Sequence, residues 1–147
     1  MLFRSRHRGL ILQFIGDEIE AVFGAPTVCA VHADMAVAAA LEMRGRLQAL
    51  NTRRVRDGKS PLRHGIGINT GTVLVGVIGS TRRLFYALVG DAVNVASRIQ
   101  ELNKAVESEI LVSASTRARM RRSHDFVEIG ATMLRGRSEG VAVYQLR

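Results

Sequence analysis

The chain has 147 residues, of which 47% are hydrophobic, and a formal net charge of +8 at pH 7. This length fits one compact domain rather than two, and the apolar content excludes a disordered chain. The single cysteine, Cys29, excludes an internal disulfide and a cysteine metal cage, which favours a reducing, cytoplasmic compartment. The apolar stretches are far shorter than the ~18 residues of a membrane span, so no membrane segment is predicted.

Arginine dominates the basic residues, because only Lys59 and Lys104 among the 21 are lysine. Proteins that bind single-stranded nucleic acid usually combine such charges with stacking aromatic residues. Here the aromatic residues are few and scattered, which favours a solvated, arginine-rich surface and no nucleic-acid partner. A basic nucleic-acid-binding module remains the weakest alternative.

The first half of the chain predicts a β-hairpin followed by a long helix. Residues 10–15 and 19–23 are rich in β-formers and flank Gly16-Asp17-Glu18, where the glycine suits a tight turn. Residues 28–56 have apolar side chains at helical spacing, and Asp57-Gly58 ends the helix. The apolar residues that recur at helical spacing are Ala36, Ala39, Met43, Leu47 and Leu50, which predicts an amphipathic helix.

The second half predicts alternating strands and helices. Residues 63–69 and 72–78 read as a second hairpin turning at Thr70-Gly71, and residues 84–89 form a strand before a helix from Asp91, its N-cap, to about Asn103. Strand 110–112, helix 114–121 capped by Ser113, strand 126–129 and a closing pair, 132–135 with 141–146, complete the series. The order predicts a single α+β sandwich with helices packed on one antiparallel or mixed sheet.

Asp17 lies at the predicted tip of the first hairpin. A carboxylate held there by two strands and exposed at a sheet edge suits a magnesium or manganese ion. Gly-Asp is also a common turn pair, so this position alone leaves a purely structural role open.

The helix after Gly90 has an apolar face formed by Val95, Ile99, Leu102 and Val106. At about 100° per residue, Asn94 and Arg98 lie one turn apart on a neighbouring stripe. Asparagine donates and accepts hydrogen bonds, and arginine offers a planar fork to phosphate, so the pair suits a sugar phosphate. A solvated helix face is the alternative.

Other motifs are missing from the sequence. Gly65, Gly67 and Gly71 lack the spacing of a dinucleotide fingerprint, and no phosphate-binding P-loop occurs. The four histidines are too far apart in sequence to suggest a metal-ligand motif, and no nucleophile elbow frames a serine.

Three segments together resemble the catalytic domain of class III adenylate and guanylate cyclases. They are QFIGDEIEAVFGAP (13–26), HGIGINTGTVLVGVIGS (64–80) and YALVGDAVNVASR (86–98), and the likeness extends to LRGR (134–137). The resemblance implies a ferredoxin-like (split βαβ) fold, and conversion of ATP or GTP to a 3′,5′-cyclic nucleotide and pyrophosphate. It also implies a homodimer, or a pair with another cyclase domain, with active sites at the interface.

The resemblance assigns roles to individual residues. Asp17 matches the second of two metal-binding aspartates, which hold Mg²⁺ or Mn²⁺, two ions per complete site. Asn94 matches the residue that orients the ribose, and Arg98 matches the one that stabilises phosphate charge in the transition state. Arg135, or Arg137, falls where the family usually has a lysine for the terminal phosphates.

Two positions depart from the family's purine-selecting residues. Gln13 stands where many adenylate cyclases have lysine and guanylate cyclases glutamate, and Ala87 stands at the partner position. An amide can face a purine edge either way round, so the base preference stays open.

A third departure concerns the start of the chain. The family's first metal-binding aspartate lies on a strand several dozen residues before the hairpin, so residues 1–147 are expected to form an N-terminally incomplete domain, without the first strand and first two helices. On this basis we expect little cyclase activity from the 147 residues alone. The alternative is a degenerate or truncated half that pairs with a complete cyclase and regulates it.

Overall fold

The computed structural model describes residues 6–80, 83–132 and 140–147, with the backbone alone for 78–80 and 83–86. The strands in this part of the chain are β1 (Gly9–Ile15), β2 (Glu18–Phe23), β3 (Ile66–Ile68), β4 (Leu74–Ser80), β5 (Arg83–Val89), β6 (Ile110–Ser113), β7 (Phe126–Thr132) and β8 (Val141–Leu146). The helices are α1 (His32–Arg56), α2 (Asp91–Ala105) and α3 (Ala114–Arg119). The predicted α+β class is confirmed.

Four strands form the central sheet in the order β3-β6-β8-β7. Strands β3 and β6 are parallel, with Ile66 opposite Ile110, whereas β8 runs antiparallel to both β6 and β7. A parallel pair needs a crossover, and the chain supplies it with β4, β5 and α2. The sheet is therefore mixed.

Strand β6 forms the centre of the core because its side chains alternate between the two faces of the sheet. Ile110 and Val112 pack with Val37 of α1, whereas Leu111 packs with Val95 and Ile99 of α2. All of these side chains are almost fully buried. The sheet thus lies between α1 on one face and α2 on the other.

Gly67 allows β3 to lie close against α2. A Cβ atom at this position would collide with the backbone of Gln100 and Ala96. Its neighbours Ile66 and Ile68 pack instead against the α1 side of the core. The glycine therefore fixes the spacing between the sheet and the helix that carries Asn94 and Arg98.

The remaining four strands form two antiparallel hairpins, β1-β2 and β4-β5. The first matches the prediction, and Gly16 at its turn has a φ of 62°, a conformation that glycine adopts without strain. The predicted pairing of 63–69 with 72–78 is wrong. Strand β3 pairs with β6 and β4 pairs with β5, so Thr70-Gly71 joins two sheets and is not a hairpin turn.

The other predicted elements are confirmed with shifted ends. The first helix begins at His32 rather than 28, and β7 continues to Thr132. Residue Gly90 is the N-cap of α2, and Asp91 lies in the first helical turn. Ser113 caps α3 as predicted, since its side chain accepts a hydrogen bond from the Thr116 N–H. Residues 133–135 of the closing pair lie outside the described residues.

A buried carboxylate ties α1 to the segment after α3. Asp34 accepts hydrogen bonds from the backbone N–H groups of Arg121 and Arg122, the shortest being 2.9 Å. Burial works to raise the pKa of Asp34, but these two donors, with the charges of Arg122 and His124, hold it below its ordinary value. The carboxylate is therefore ionised at neutral pH.

In the described ranges, no helix combines the length and apolar character needed to cross a bilayer.

Candidate active site

Asp17 lies at the exposed turn of the β1-β2 hairpin, as predicted. The hairpin contains an irregularity, because Ile11 pairs with Ala21 and Gln13 with Glu20, leaving Leu12 as an extra residue. This bulge places the side chains of Gln13 and Glu20 together, and the Gln13 Nε2 donates to the Glu20 Oε2 at 2.6 Å. The hairpin thus presents one carboxylate at its tip and an oriented amide beside it.

Helix α2 carries the pair Asn94 and Arg98 on its outer side. Val95 and Ile99 on the adjoining face are buried in the core, as predicted. Asn94 is exposed and Arg98 is half-buried. Because the buried face is fixed against β6 and β8, the two polar side chains have a defined direction away from the sheet.

Asn69 holds the start of α2 in place and was missed by sequence reasoning. Its Nδ2 donates to the Ala92 carbonyl at 3.0 Å, and its Oδ1 accepts from the Ser115 hydroxyl at 3.1 Å. The adjacent Thr70 donates to Thr116 at 3.1 Å. The only sequence signal was a pair of hydrogen-bonding residues directly after a strand, where loop side chains often position functional groups.

Ala87 lies in β5 opposite Gly76 of β4. Strand β5 contacts β1, so the strands that carry Gln13 and Ala87 are neighbours. Neither Arg135 nor Arg137 lies within the described residues, and their predicted role stays a prediction.

The structure does not join Asp17 to the pair on α2. Within the described residues, no hydrogen bond or ion pair links Asp17 to Asn94 or Arg98. The same residues contain no group of three histidine, cysteine, aspartate or glutamate side chains able to hold a metal ion. Asp17 has the right donor chemistry for Mg²⁺, yet one carboxylate is too few ligands for a site.

Both hairpins expose large apolar side chains beside these positions. Phe14 next to the tip is 68% exposed, and Leu74 at the start of β4 is 71% exposed. The full set, here called the hairpin surface, is Phe14, Ile15, Ile19, Leu74, Val77 and Val89. Phe14 lies opposite Ile19 and Leu74 lies opposite Val89, so each hairpin has an exposed pair of apolar side chains of the kind found at association surfaces.

Three comparisons place the chain among known proteins. Adenylate cyclase 1 of Rhizobium meliloti is 36% identical over 142 residues, which cover 97% of this chain and 21% of that protein. The crystal structure of the adenylyl cyclase CyaB from P. aeruginosa matches with a TM-score of 0.88 and 30% identity, over 99% of this chain and 75% of that one. The guanylyl cyclase Cya2 matches with a TM-score of 0.86 and 33% identity, over 98% and 72%.

The chain therefore spans about a fifth of the length of the Rhizobium relative. Residues 3–147 match the family described as the adenylate and guanylate cyclase catalytic domain. With a family match over nearly the whole chain and the fold of solved cyclase domains, this chain belongs to that family.

Proposed function

We propose that this domain takes part in converting ATP to 3′,5′-cyclic AMP and pyrophosphate, in a site formed between two cyclase domains. The observation that carries the proposal is the pair Asn94 and Arg98 on one stripe of α2, fixed by a buried face and by Asn69. Asn94 would hold the ribose and Arg98 would meet the negative charge that develops on the reacting phosphate. Fixed donors aimed at developing charge are a large source of rate enhancement.

The hairpin surface supports the dimeric part of the proposal. Phe14, Ile15 and Ile19 lie near Asp17 in the β1-β2 hairpin, and association with another cyclase domain would bury the exposed apolar side chains of both hairpins. Since no hydrogen bond or ion pair joins Asp17 to the α2 pair within the described residues, we expect the complete site to combine Asp17 of one domain with the α2 pair of another. We expect the partner to be a second copy or a related cyclase domain.

Asp17 would supply one carboxylate oxygen to divalent ions, Mg²⁺ or Mn²⁺, of which the family's complete site holds two. When bound, such ions activate the attacking hydroxyl and neutralise the leaving oxygens. The described residues contain no group of three histidine, cysteine, aspartate or glutamate side chains able to hold a metal ion, so we expect little activity from residues 1–147 alone. Arg135 or Arg137 would bind the terminal phosphates, and the substrate implies a cytoplasmic location.

The contact between Gln13 and Glu20 supports ATP over GTP. A carboxylate only accepts hydrogen bonds, so Glu20 engages the NH₂ group of Gln13 and leaves the Oε1 free as an acceptor. Adenine carries a donating amino group at the purine position where guanine carries an accepting oxygen. We therefore expect Glu20→Gln to reduce the preference for ATP, which is measured as kcat/KM for ATP divided by kcat/KM for GTP.

Complementation tests the function. An intact class III cyclase subunit that retains both metal aspartates, but has its own asparagine and arginine of this motif replaced by alanine, is mixed with the 147-residue chain. We expect cyclic AMP to form from ATP with Mn²⁺, and Arg98→Ala to lower the rate about a hundredfold or more. The matched control is Arg119→Ala, an exposed arginine on α3.

Two results would contradict the proposal, one concerning catalysis and the other concerning the role of Arg98. Association without cyclic AMP formation would contradict catalysis and leave an inactive pairing module. Formation of cyclic AMP at equal rates by wild type and Arg98→Ala would contradict the role of Arg98.

A further inference from the structure

The positive charge of the chain is concentrated in one segment. Residues 44–63 contain seven basic residues and a single acidic residue, Asp57, which gives a net charge of +6 out of +8 for the whole chain. This segment is the second half of α1 and the loop that leads to β3. The sequence therefore concentrates most of the net charge in one segment, and the structure places that segment at the end of α1 and in the following loop.

Several of these cations have no partner within the described residues. Arg46 pairs with Glu42, Arg56 lies 3.8 Å from Asp57, and the Arg54 Nε donates to the Ser60 carbonyl. By contrast, no hydrogen bond or ion pair of the Arg53 or Lys59 side chain occurs in the described part of the chain. We call the group Arg53, Arg54, Arg56, Lys59 and Arg63 the basic end of α1.

Apolar side chains lie among these charges. Val55 is 59% exposed and Leu62 is 47% exposed. Asn51 fixes the loop against the helix, since its side chain both donates to the Leu62 carbonyl and accepts from the Leu62 N–H, each at 2.8 Å. The loop therefore presents Leu62 in a defined place near the last turns of α1.

The basic end of α1 projects beyond the core. The fully buried residues of this helix all lie between Ala33 and Ala40, in its first third. The helix is about 37 Å long at about 1.5 Å per residue, so its last turns extend well past them. The loop then enters β3 at Ile66, whereas Asn69 of the candidate site follows the other end of that strand.

A projecting end with cations and exposed aliphatic side chains suits a flat anionic surface. Arginine clusters also recognise acidic peptides, but the exposed aliphatic side chains among these cations favour a partner with an apolar interior. Residues 44–63 contain no aromatic side chain on which single-stranded nucleic acid could stack. Clusters of four to eight basic residues on a helix are typical of binding to anionic lipid headgroups, with apolar side chains entering the interface. We propose that the basic end of α1 binds the surface of an anionic lipid bilayer, with the candidate site facing away.

Vesicle sedimentation tests the proposal with the whole 147-residue chain. We expect binding to vesicles containing phosphatidylglycerol to exceed binding to pure phosphatidylcholine vesicles by about tenfold or more, and to weaken as salt is added. The triple variant Arg53→Gln, Arg56→Gln, Lys59→Gln should lower binding about tenfold. The double variant Val55→Ser, Leu62→Ser should lower the part of the binding that persists in high salt.

The matched control is Arg119→Gln, Arg121→Gln, Arg122→Gln, which removes the same charge from exposed side chains elsewhere and keeps the backbone bonds to Asp34. Circular dichroism checks that each variant is folded. Equal loss in the two triple variants, or equal binding to both kinds of vesicle, would overturn the proposal. Preference for RNA or polyglutamate over the vesicles, lost only in the first triple variant, would assign this surface to a different class of partner and equally overturn it.

Discussion

The central sheet and the two hairpins use their apolar residues in opposite ways. Leu111 and Ile99 in the central layers are fully buried, whereas Phe14 and Leu74 in the hairpins are mostly exposed. The sheet has a helix on each face, and the hairpins have exposed apolar side chains. Because the core is buried within one chain and the hairpins carry the proposed interface, we expect folding and association to respond to different substitutions.

The largest expected effect is in the core, at Gly67. Gly67→Ala would drive a Cβ into the backbone of Ala96 and Gln100, and we expect the free energy of unfolding to fall by about 3 kcal/mol. The matched control is Gly76→Ala in β4, where the same Cβ meets open space, with a change below about 0.5 kcal/mol. Urea denaturation followed by circular dichroism measures both changes. Equal losses of unfolding free energy in the two variants would contradict the difference between the central sheet and the hairpin.

The next effect concerns two aspartates in the two regions. Asp34→Ala removes the acceptor of two backbone N–H groups, so the free energy of unfolding should fall by about 2 kcal/mol at pH 7. Asp17→Ala at the hairpin tip, where the side chain is exposed, should change it by less than about 0.5 kcal/mol. Urea denaturation of the two variants measures both changes. A larger loss of unfolding free energy in Asp17→Ala than in Asp34→Ala would contradict this prediction.

The Asp34 contribution also has a defined pH dependence. Its folded-state pKa lies below the ordinary 3.8, so the unfolded chain takes up the proton first as pH falls. The stability that Asp34 provides is therefore fully present above about pH 5 and is lost as the pH falls through 3.8 and then through the lower folded-state pKa. The difference in unfolding free energy between wild type and Asp34→Ala should stay constant from pH 7 to about 5 and shrink in stronger acid.

A smaller effect is expected on the hairpin surface. Leu74→Ser together with Val89→Ser, its cross-strand neighbour, should weaken association with a cyclase partner by about tenfold, because both side chains lose their gain from burial. The unfolding free energy of the isolated chain should change little. Val28→Ser, at a residue 89% exposed outside the hairpins, is the control. Sedimentation velocity measures association, and equal weakening by the control would remove the hairpin surface from the interface.

The smallest change in stability is expected at Asn69, which links the end of β3 to the start of α2. Asn69→Ala removes the bond to Ala92, with an expected loss of about 1 kcal/mol in unfolding free energy. Asn51→Ala removes a comparable bridge to Leu62 and should cost a similar amount. Only Asn69→Ala should also lower kcat in the complementation reaction, because it loosens the start of α2. An unchanged kcat would show that Asn69 contributes to stability alone.

The sequence predicted the local elements well and one long-range pairing wrongly. The β1-β2 hairpin was predictable because its strands are adjacent and its turn requires glycine at Gly16. The pairing of β3 could not be predicted in this way. Thr70-Gly71 has the composition of a hairpin turn, whereas the true partner strand, β6, lies 44 positions along the chain. Alternating patterns specify which residues face inward but not which strand lies beside them.

The sequence likewise predicted the local features of the candidate site but not its long-range contacts. Asn94 and Arg98 follow from helical periodicity, since the buried positions Val95 and Ile99 fix which face is free. The role of Asn69 was hidden because its partner is a backbone carbonyl, which no side-chain pattern records. The orientation of Gln13 depends on the extra residue Leu12, and a bulge of this kind changes the register without a sequence signal.

The parallel pairing of β3 with β6 has a consequence for folding. The two hairpins and the helices close over short stretches of chain, whereas β3 must wait for the segment from β4 to the end of α2 before β6 exists. During synthesis from the N-terminus, α1 therefore emerges with Val37 uncovered long before Ile110 and Val112. Because the innermost strand is made late, we expect this domain to fold slowly, with the buried face of α1 uncovered until β6 has been made.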